Sequence, residues 1–415
     1  LAAFATASAS PVRGARGRCA FQGGALTGSP FLILISKNNK RAGARLWEAA
    51  LDKISFPYRA ASHLVLLHVI SESGSWEKHG LDVDYDKRIS ASEAHRAIPA
   101  GDVEFVGGNH VSTYGHRARG DSWVYLGQTL NMVHTKLITR QETDIFKPAD
   151  LKGKKVGTRG SHPGLNDWLQ LKKRGFDVDR GDVELINQLV HKKGSMDAEG
   201  ENDPKTKGPP PLWTWVRDGV VDAAFVTPPS SLFAEEAGLR VIDIDPLPMI
   251  WFTTISTSLE FAAAHPDIVN RFLKGIIEGI HFFKTQPEAS IKIIQKRYTK
   301  EGQLSEAQAR YTYENLAPLL EPKLYPSMAA IANVYEEAKR QDADAAKVNP
   351  LALWDLHHVR SVDDSGFVDQ LYSDARAKKK PMTPDDVEEL ADKRTRMIAE
   401  IKACGHPEGE ACACG

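Results

Sequence analysis

Between Cys19 and Cys404 the chain has no cysteine; all four, Cys19, Cys404, Cys412 and Cys414, sit in the two tails. The body therefore offers neither a thiol nucleophile nor a disulfide framework. Long apolar runs are also missing, none approaching the roughly 20 residues that a helix needs to cross a bilayer. Net charge is absent as well. With 53 Lys plus Arg against 54 Asp plus Glu, no large field draws the chain to nucleic acid or to an anionic membrane, and no nucleic-acid partner is expected. The N-terminal stretch lacks periodicity: it is rich in Ala, Gly, Ser and Arg, and residues 1–49 are expected to be poorly structured. Phe31–Ile35 is too short for a signal-peptide core, and the basic Lys37–Arg45 follows it instead of preceding it, so no secretory signal is read here.

What is present is an ordinary globular composition. At 415 residues, with 42% apolar and 26% charged side chains, the chain is long enough for two or three domains with cores of their own.

The most informative stretch runs from Asp150 to Leu169. Lys154–Thr158 predicts a short buried strand, and Gly157, Gly160 and Gly164 predict a sharp turn after it. A helix over 165–173 follows, with Ser161 near its start. Unpaired N–H groups and the positive dipole end at such a helix start attract a carboxylate, sulfonate or phosphate, and Arg159 adds a planar charged fork. A simple strand-to-helix turn with its cap is the alternative.

Other loops fall at the carboxyl ends of predicted strands, where ligands collect in open α/β sheets. A strand over 54–60 leads to Ser62 and His63, ahead of an apolar helix over 64–73, and a helix over 93–98 ends near Pro99. A buried strand from Gly101 ends in a Gly-Gly-Asn-His tip that contains Gly108, Asn109 and His110. That tip is the third pocket loop, and after strands over 123–128 and 134–140, Gln128 and Thr129 are expected to face the same crevice. A polar stretch over 191–211 is too long for an ordinary connection and reads as a lid or a solvated insertion. The segment from Gly219 repeats the Gly101 design and ends at Thr227, with Thr227–Ser230 capping the next helix. A last strand over 251–257 begins at Trp251, and four helices follow between 266 and 340. His95 and His110 are candidate acid–base residues, because imidazole exchanges protons near neutral pH. In the tail, Cys404, His406, Cys412 and Cys414 are the right ligand types for zinc but lack the paired Cys-x2-Cys spacing of structural sites, so no metal or other cofactor is expected.

The order of these pieces resembles the type II periplasmic binding proteins of the nitrate, sulfonate and taurine group. The resemblance covers about Ile54 to Tyr372 and rests on Glu72-Ser-Gly74, Gly80–Asp84, Gly101–Glu104, Asp150–Val156, Gly219–Val226 and Gly238–Val241. It implies two α/β lobes joined by crossing strands, with a ligand held in the cleft and the lobes closing by a hinge. Lobe I would combine 50–138 with 250–375 and its helices, lobe II would span 139–249, and 376–415 would form a helical tail with a cysteine-rich end. The implied function is the substrate-binding component of an ABC-type importer, located in the periplasm or otherwise outside the cytoplasm. It would pass a small anionic or aromatic ligand (a sulfonate, aromatic carboxylate or pyrimidine-like molecule) to a permease. The expected ligand contacts are Ser62, His63, Gly108, Asn109, His110, Gln128, Arg159, Gly160, Ser161, Thr227 and Trp251. The alternative is a cytoplasmic enzyme on the same fold, decarboxylase-like or pyrimidine-synthase-like, that uses the pocket histidines. Desulfinases of the group carry a catalytic cysteine where this chain has Ala61 or Ser62, so their thiol chemistry does not transfer.

Overall fold

The computed structural model describes residues 51–158, 165–187, 210–297 and 304–377, with 388, 392, 395 and 396. Gly164, Arg159, Gly160, Ser161, the stretch 191–209, and Cys404, His406, Cys412 and Cys414 lie outside the described residues. Residues from Glu48 onward form one compact unit.

The chain enters on β1 (Asp52–Ser55), which pairs in parallel with β2 (Leu81–Asp84) across the helix α1 (Leu64–Glu72). The strand expected over 54–60 is shorter, because Pro57 has no N–H to donate and regular pairing stops at Ser55. Backbone bonds nevertheless continue the pairing on both sides: Phe56 N donates to Asp84 O, and Gly107 N to Pro57 O. α2 (Ala91–Ala100) starts on a reciprocal Ser90–Glu93 capping box and includes Pro99 in its last turn, stopping at Gly101 with φ +76°. Beyond it, β3 (Val106–Gly107), α3 (Ser112–Ala118) and β4 (Trp123–Gln128) complete this part of the chain.

The chain then passes to a second sheet. β5 (Met132–Val133) leads out to β6 (Lys136–Thr139), β7 (Lys155–Thr158), α4 (Leu165–Lys173), β8 (Glu184–Asn187), α5 (Leu212–Arg217), β9 (Ala223–Val226), α6 (Ser230–Glu236) and β10 (Arg240–Asp243). Among the described residues this sheet runs β10-β6-β9-β7-β8, with β7 parallel to both neighbours. Gly157 lies inside β7 and makes no turn. A Cβ there would stand 3.0 Å from Leu212 Cδ1, so the glycine lets α5 pack closely on the strand. β11 (Leu247–Pro248) pairs antiparallel with β5, so the outgoing and returning segments run side by side. β12 (Thr254–Ser258) then rejoins the first part between β3 and β4. This strand begins three residues later than the sequence suggests, because Phe252 takes a positive φ of 67° and breaks the extended run.

α7 (Leu259–Ala264), α8 (Pro266–Thr285), α9 (Pro287–Arg297), α10 (Glu306–Leu316) and α11 (Met328–Gln341) follow. α12 (His357–Asp364) and α13 (Phe367–Ala377) come after the four helices read between 266 and 340. The core of the first part is aromatic: the Phe105 and Phe272 rings stack at 4.0 Å, with Phe56 set edge-on to Phe272 at 4.9 Å. α8 lies close on α1 because it presents glycine there. A Cβ at Gly279 would come 2.5 Å from Ile70 Cγ1, and one at Gly275 2.3 Å from Trp76 Cδ1. None of the described helices is long and apolar enough to cross a membrane.

Candidate functional site

The loops after β1 and β9, the link between β5 and β6, the approach to β12, and α10 meet around a cavity of about 50 Å³. Ser62, Thr227, Pro228 and Trp251 line it, joined by His134, Phe252, Thr312 and Asn315. Of the residues expected from the sequence, Ser62, Thr227 and Trp251 thus reach the cavity wall. His63, Gly108, Asn109, His110 and Gln128 are not among its lining residues and stand behind it. The His63 ring packs on Phe252, with centroids 5.3 Å apart.

This second layer is bound together by specific contacts. Gly108 has φ +126°, and a Cβ there would fall 2.6 Å from Arg59 Cγ and 3.4 Å from His63 Cε1. Only glycine lets the loop, the Arg59 stem and the imidazole share that space. Arg59 brings a cation to this region; its Nη1 donates to the Ile89 carbonyl and its backbone N–H to Gly107 O. It was missed in the sequence, although it sits just after β1 and the strand-end rule that picked out Ser62 reaches it equally well.

A chain of hydrogen bonds fixes His110. Gln128 Nε2 donates to the carbonyls of Leu130 and Trp251, which leaves its Oε1 to accept from the Thr254 hydroxyl at 2.6 Å. With its proton so committed, Thr254 Oγ1 accepts at 2.9 Å from His110 Nδ1. His110 Nδ1 is thereby the donor to Thr254, and a ring hydrogen bond to the Phe252 backbone favours the charged form against the effect of burial. Burial, reinforced by the Arg59 charge, pulls its pKa down to about 4. Burial likewise takes His63 well below its ordinary value, with His110, Arg59 and Arg88 adding to the effect. Both rings are neutral at pH 7.

Asn109 is the least satisfied member. Its backbone is left-handed at φ 62°, and its carbonyl accepts from Thr113 Oγ1 and the Tyr125 hydroxyl, each at 2.7 Å. Its side chain is buried, yet both amide atoms lack a hydrogen-bond partner among the described residues. An amide left in that condition costs about 1–3 kcal/mol. Together with Phe252, Asn109 puts two non-glycine residues with positive φ at one site, a pattern that concentrates where backbone strain serves function.

His95, the other acid–base candidate, is elsewhere. Its ring stacks on His116 at 3.6 Å, and neither lines the cavity. Burial, with His116 and then Arg59 and Arg119 adding to it, lowers its pKa to about 3. Arg159, Gly160 and Ser161 lie outside the described residues, so their geometry does not enter.

Residues 64–198 match the family described as NMT1/THI5 like. That stretch is about a third of the chain and resembles the family. A protein of Brucella abortus (strain 2308), provisionally named a binding protein, is 26% identical over 234 residues. That alignment takes in 55% of this chain and 66% of the Brucella protein, just under two thirds of its length. Among solved structures, the alkanesulfonate-binding protein of Xanthomonas axonopodis pv. citri bound to MOPS is 15% identical, with a TM-score of 0.51 over 73% of this chain and 96% of its own. The desulfurization enzyme DSZB is 17% identical, with a TM-score of 0.51 over 76% of this chain and 99% of its own. At such identities the likeness concerns the fold, which is that of the periplasmic binding proteins.

Proposed function

We propose that this protein is a solute-binding protein that captures a small organic anion between two lobes and delivers it to an ABC-type permease outside the cytoplasm. The observation that carries the reading is the orphaned Asn109 amide beside Arg59 and two neutral histidines, with Trp251 and Phe252 alongside. Together these offer a cation, hydrogen-bonding groups that carry no opposing charge, and aromatic faces, a combination suited to a sulfonate or carboxylate on an aromatic or heterocyclic body. The binding proteins matched in sequence and fold support the same reading. The lobes would be 50–138 with 250–375, and 139–249, with the paired β5 and β11 segments as the hinge. A cavity of about 50 Å³ is far smaller than the roughly 300 Å³ or more of a ligand pocket, so the lobes must part to admit a molecule of that size. Arg159, Gly160 and Ser161 would close over its charged end from the second lobe.

A thermal-shift screen against sulfonates, aromatic carboxylates and pyrimidines tests this reading. The expected result is stabilisation by one of these anions, weakened by Arg159→Ala with the fold intact. If none stabilises the protein and one is chemically consumed, the protein is an enzyme.

A further inference from the structure

A second group of ligating side chains lies outside the cleft. His95 on α2, His116 in the last turn of α3 and Asp121 just past Gly120 converge so that their ligand atoms lie within 4.8 Å of one another. His116 Nδ1 is 2.9 Å from Asp121 Oδ2, and His95 Nδ1 is 3.8 Å from the same oxygen. Around a tetrahedral zinc ion with bonds of about 2.0–2.1 Å, ligand atoms stand roughly 3.3 Å apart, between those two separations. The His95 side chain is only 4% exposed, and its Nδ1 has no hydrogen-bond partner among the described residues. Its other nitrogen, Nε2, is 2.9 Å from Ser112 Oγ. This is the division of labour of a metal-bound imidazole, with one nitrogen oriented by an outer hydroxyl and the other presenting its lone pair. Asp121 Oδ2 is hydrogen-bonded to His116 Nδ1, a contact the ion would replace, while Arg117 Nη1 donates to the Asp121 backbone carbonyl.

We propose that His95, His116 and Asp121 form a divalent transition-metal site, with water completing the coordination. Two imidazoles and one carboxylate suit zinc, cobalt or nickel better than calcium or magnesium. The two rings lie parallel, 4° apart, so they cannot both point at one ion as they stand. His116, partly exposed at the end of α3, turns out of the stack to bind, while His95 stays packed on Trp123 at 4.8 Å. The ion ties the end of α3 to α2 and so brackets the loop that carries Gly108, Asn109 and His110.

The test uses the full chain, stripped of metal, with Cys19→Ser, Cys404→Ser, Cys412→Ser and Cys414→Ser so that tail thiols cannot hold the ion. Titrated with cobalt(II), this protein is expected to take up one equivalent, showing d–d absorption without thiolate charge-transfer bands, and zinc should raise its Tm. His116→Gln and Asp121→Asn should each weaken cobalt binding at least about tenfold while the circular dichroism spectrum is unchanged. No stoichiometric uptake in the serine background, or undiminished uptake by both variants, overturns the proposal.

Discussion

Two of the histidine pairs among the described residues differ in what faces them. His63 and His110 face Arg59, an aromatic ring and a committed amide–hydroxyl chain. His95 and His116 face a shared carboxylate, Asp121. The side chains are of one type, yet the first setting holds neutral rings beside a cation and suits an anion, while the second gathers lone pairs and a negative charge and suits a metal ion. The chemistry of an imidazole here is set by its partners, and those partners come from distant parts of the chain.

The sharpest way to break the first setting is through Gly108. Gly108→Ala forces a Cβ to within 2.6 Å of Arg59 Cγ at a φ of +126°. Strain and overpacking together predict a stability loss of roughly 3 kcal/mol, read as a shift in urea midpoint with an unchanged slope. A loss well under 1 kcal/mol would mean that the loop and Arg59 are not packed as described.

Much of this arrangement was legible beforehand, and the limits are physical. Strand-end loops were found because turn glycines and buried strands mark them locally, and Ser62, Thr227 and Trp251 do line one cavity. The group of proteins to which the order of pieces pointed agrees with the NMT1/THI5-like match. What could not be read was side-chain partnership. Nothing local links His110 to Gln128 through Thr254, since Thr254 is 144 residues from His110 and 126 from Gln128. Phe252 sat inside an apolar run that looked like continuous strand, and its positive φ has no signature in the residue type. Glycines misled as well as guided: Gly157 was read as a turn residue but serves close packing within a strand.

The second prediction concerns pH. His110 is held at about 4 in the folded protein, against an ordinary value near 6.5. The folded state therefore binds fewer protons than the unfolded chain in that window. The stability contributed by a neutral His110 is complete above about pH 6.5 and is lost as pH falls through 6.5 toward 4, amounting to roughly 2–3 kcal/mol. Chemical denaturation from pH 7.5 to 4 should show that decline, and His110→Gln should flatten part of it, the remainder belonging to other buried histidines. An identical slope in the variant would contradict the neutral assignment.

The smallest expected effect sharpens the contrast. His116→Gln, at a ring outside the cavity lining, should leave affinity for a cleft anion within about twofold in metal-free buffer, measured by calorimetry. A larger change would show that the two histidine settings act as one site.

The central claim is that the cleft holds an anion beside Arg59. Isothermal calorimetry of Arg59→Ala against the unmodified protein, with whichever sulfonate or carboxylate stabilises it most, tests this directly. Loss of a charge-assisted contact predicts a penalty of about 2 kcal/mol, on the order of thirtyfold in Kd, with the fold retained. An unchanged Kd in a folded Arg59→Ala protein would contradict the account.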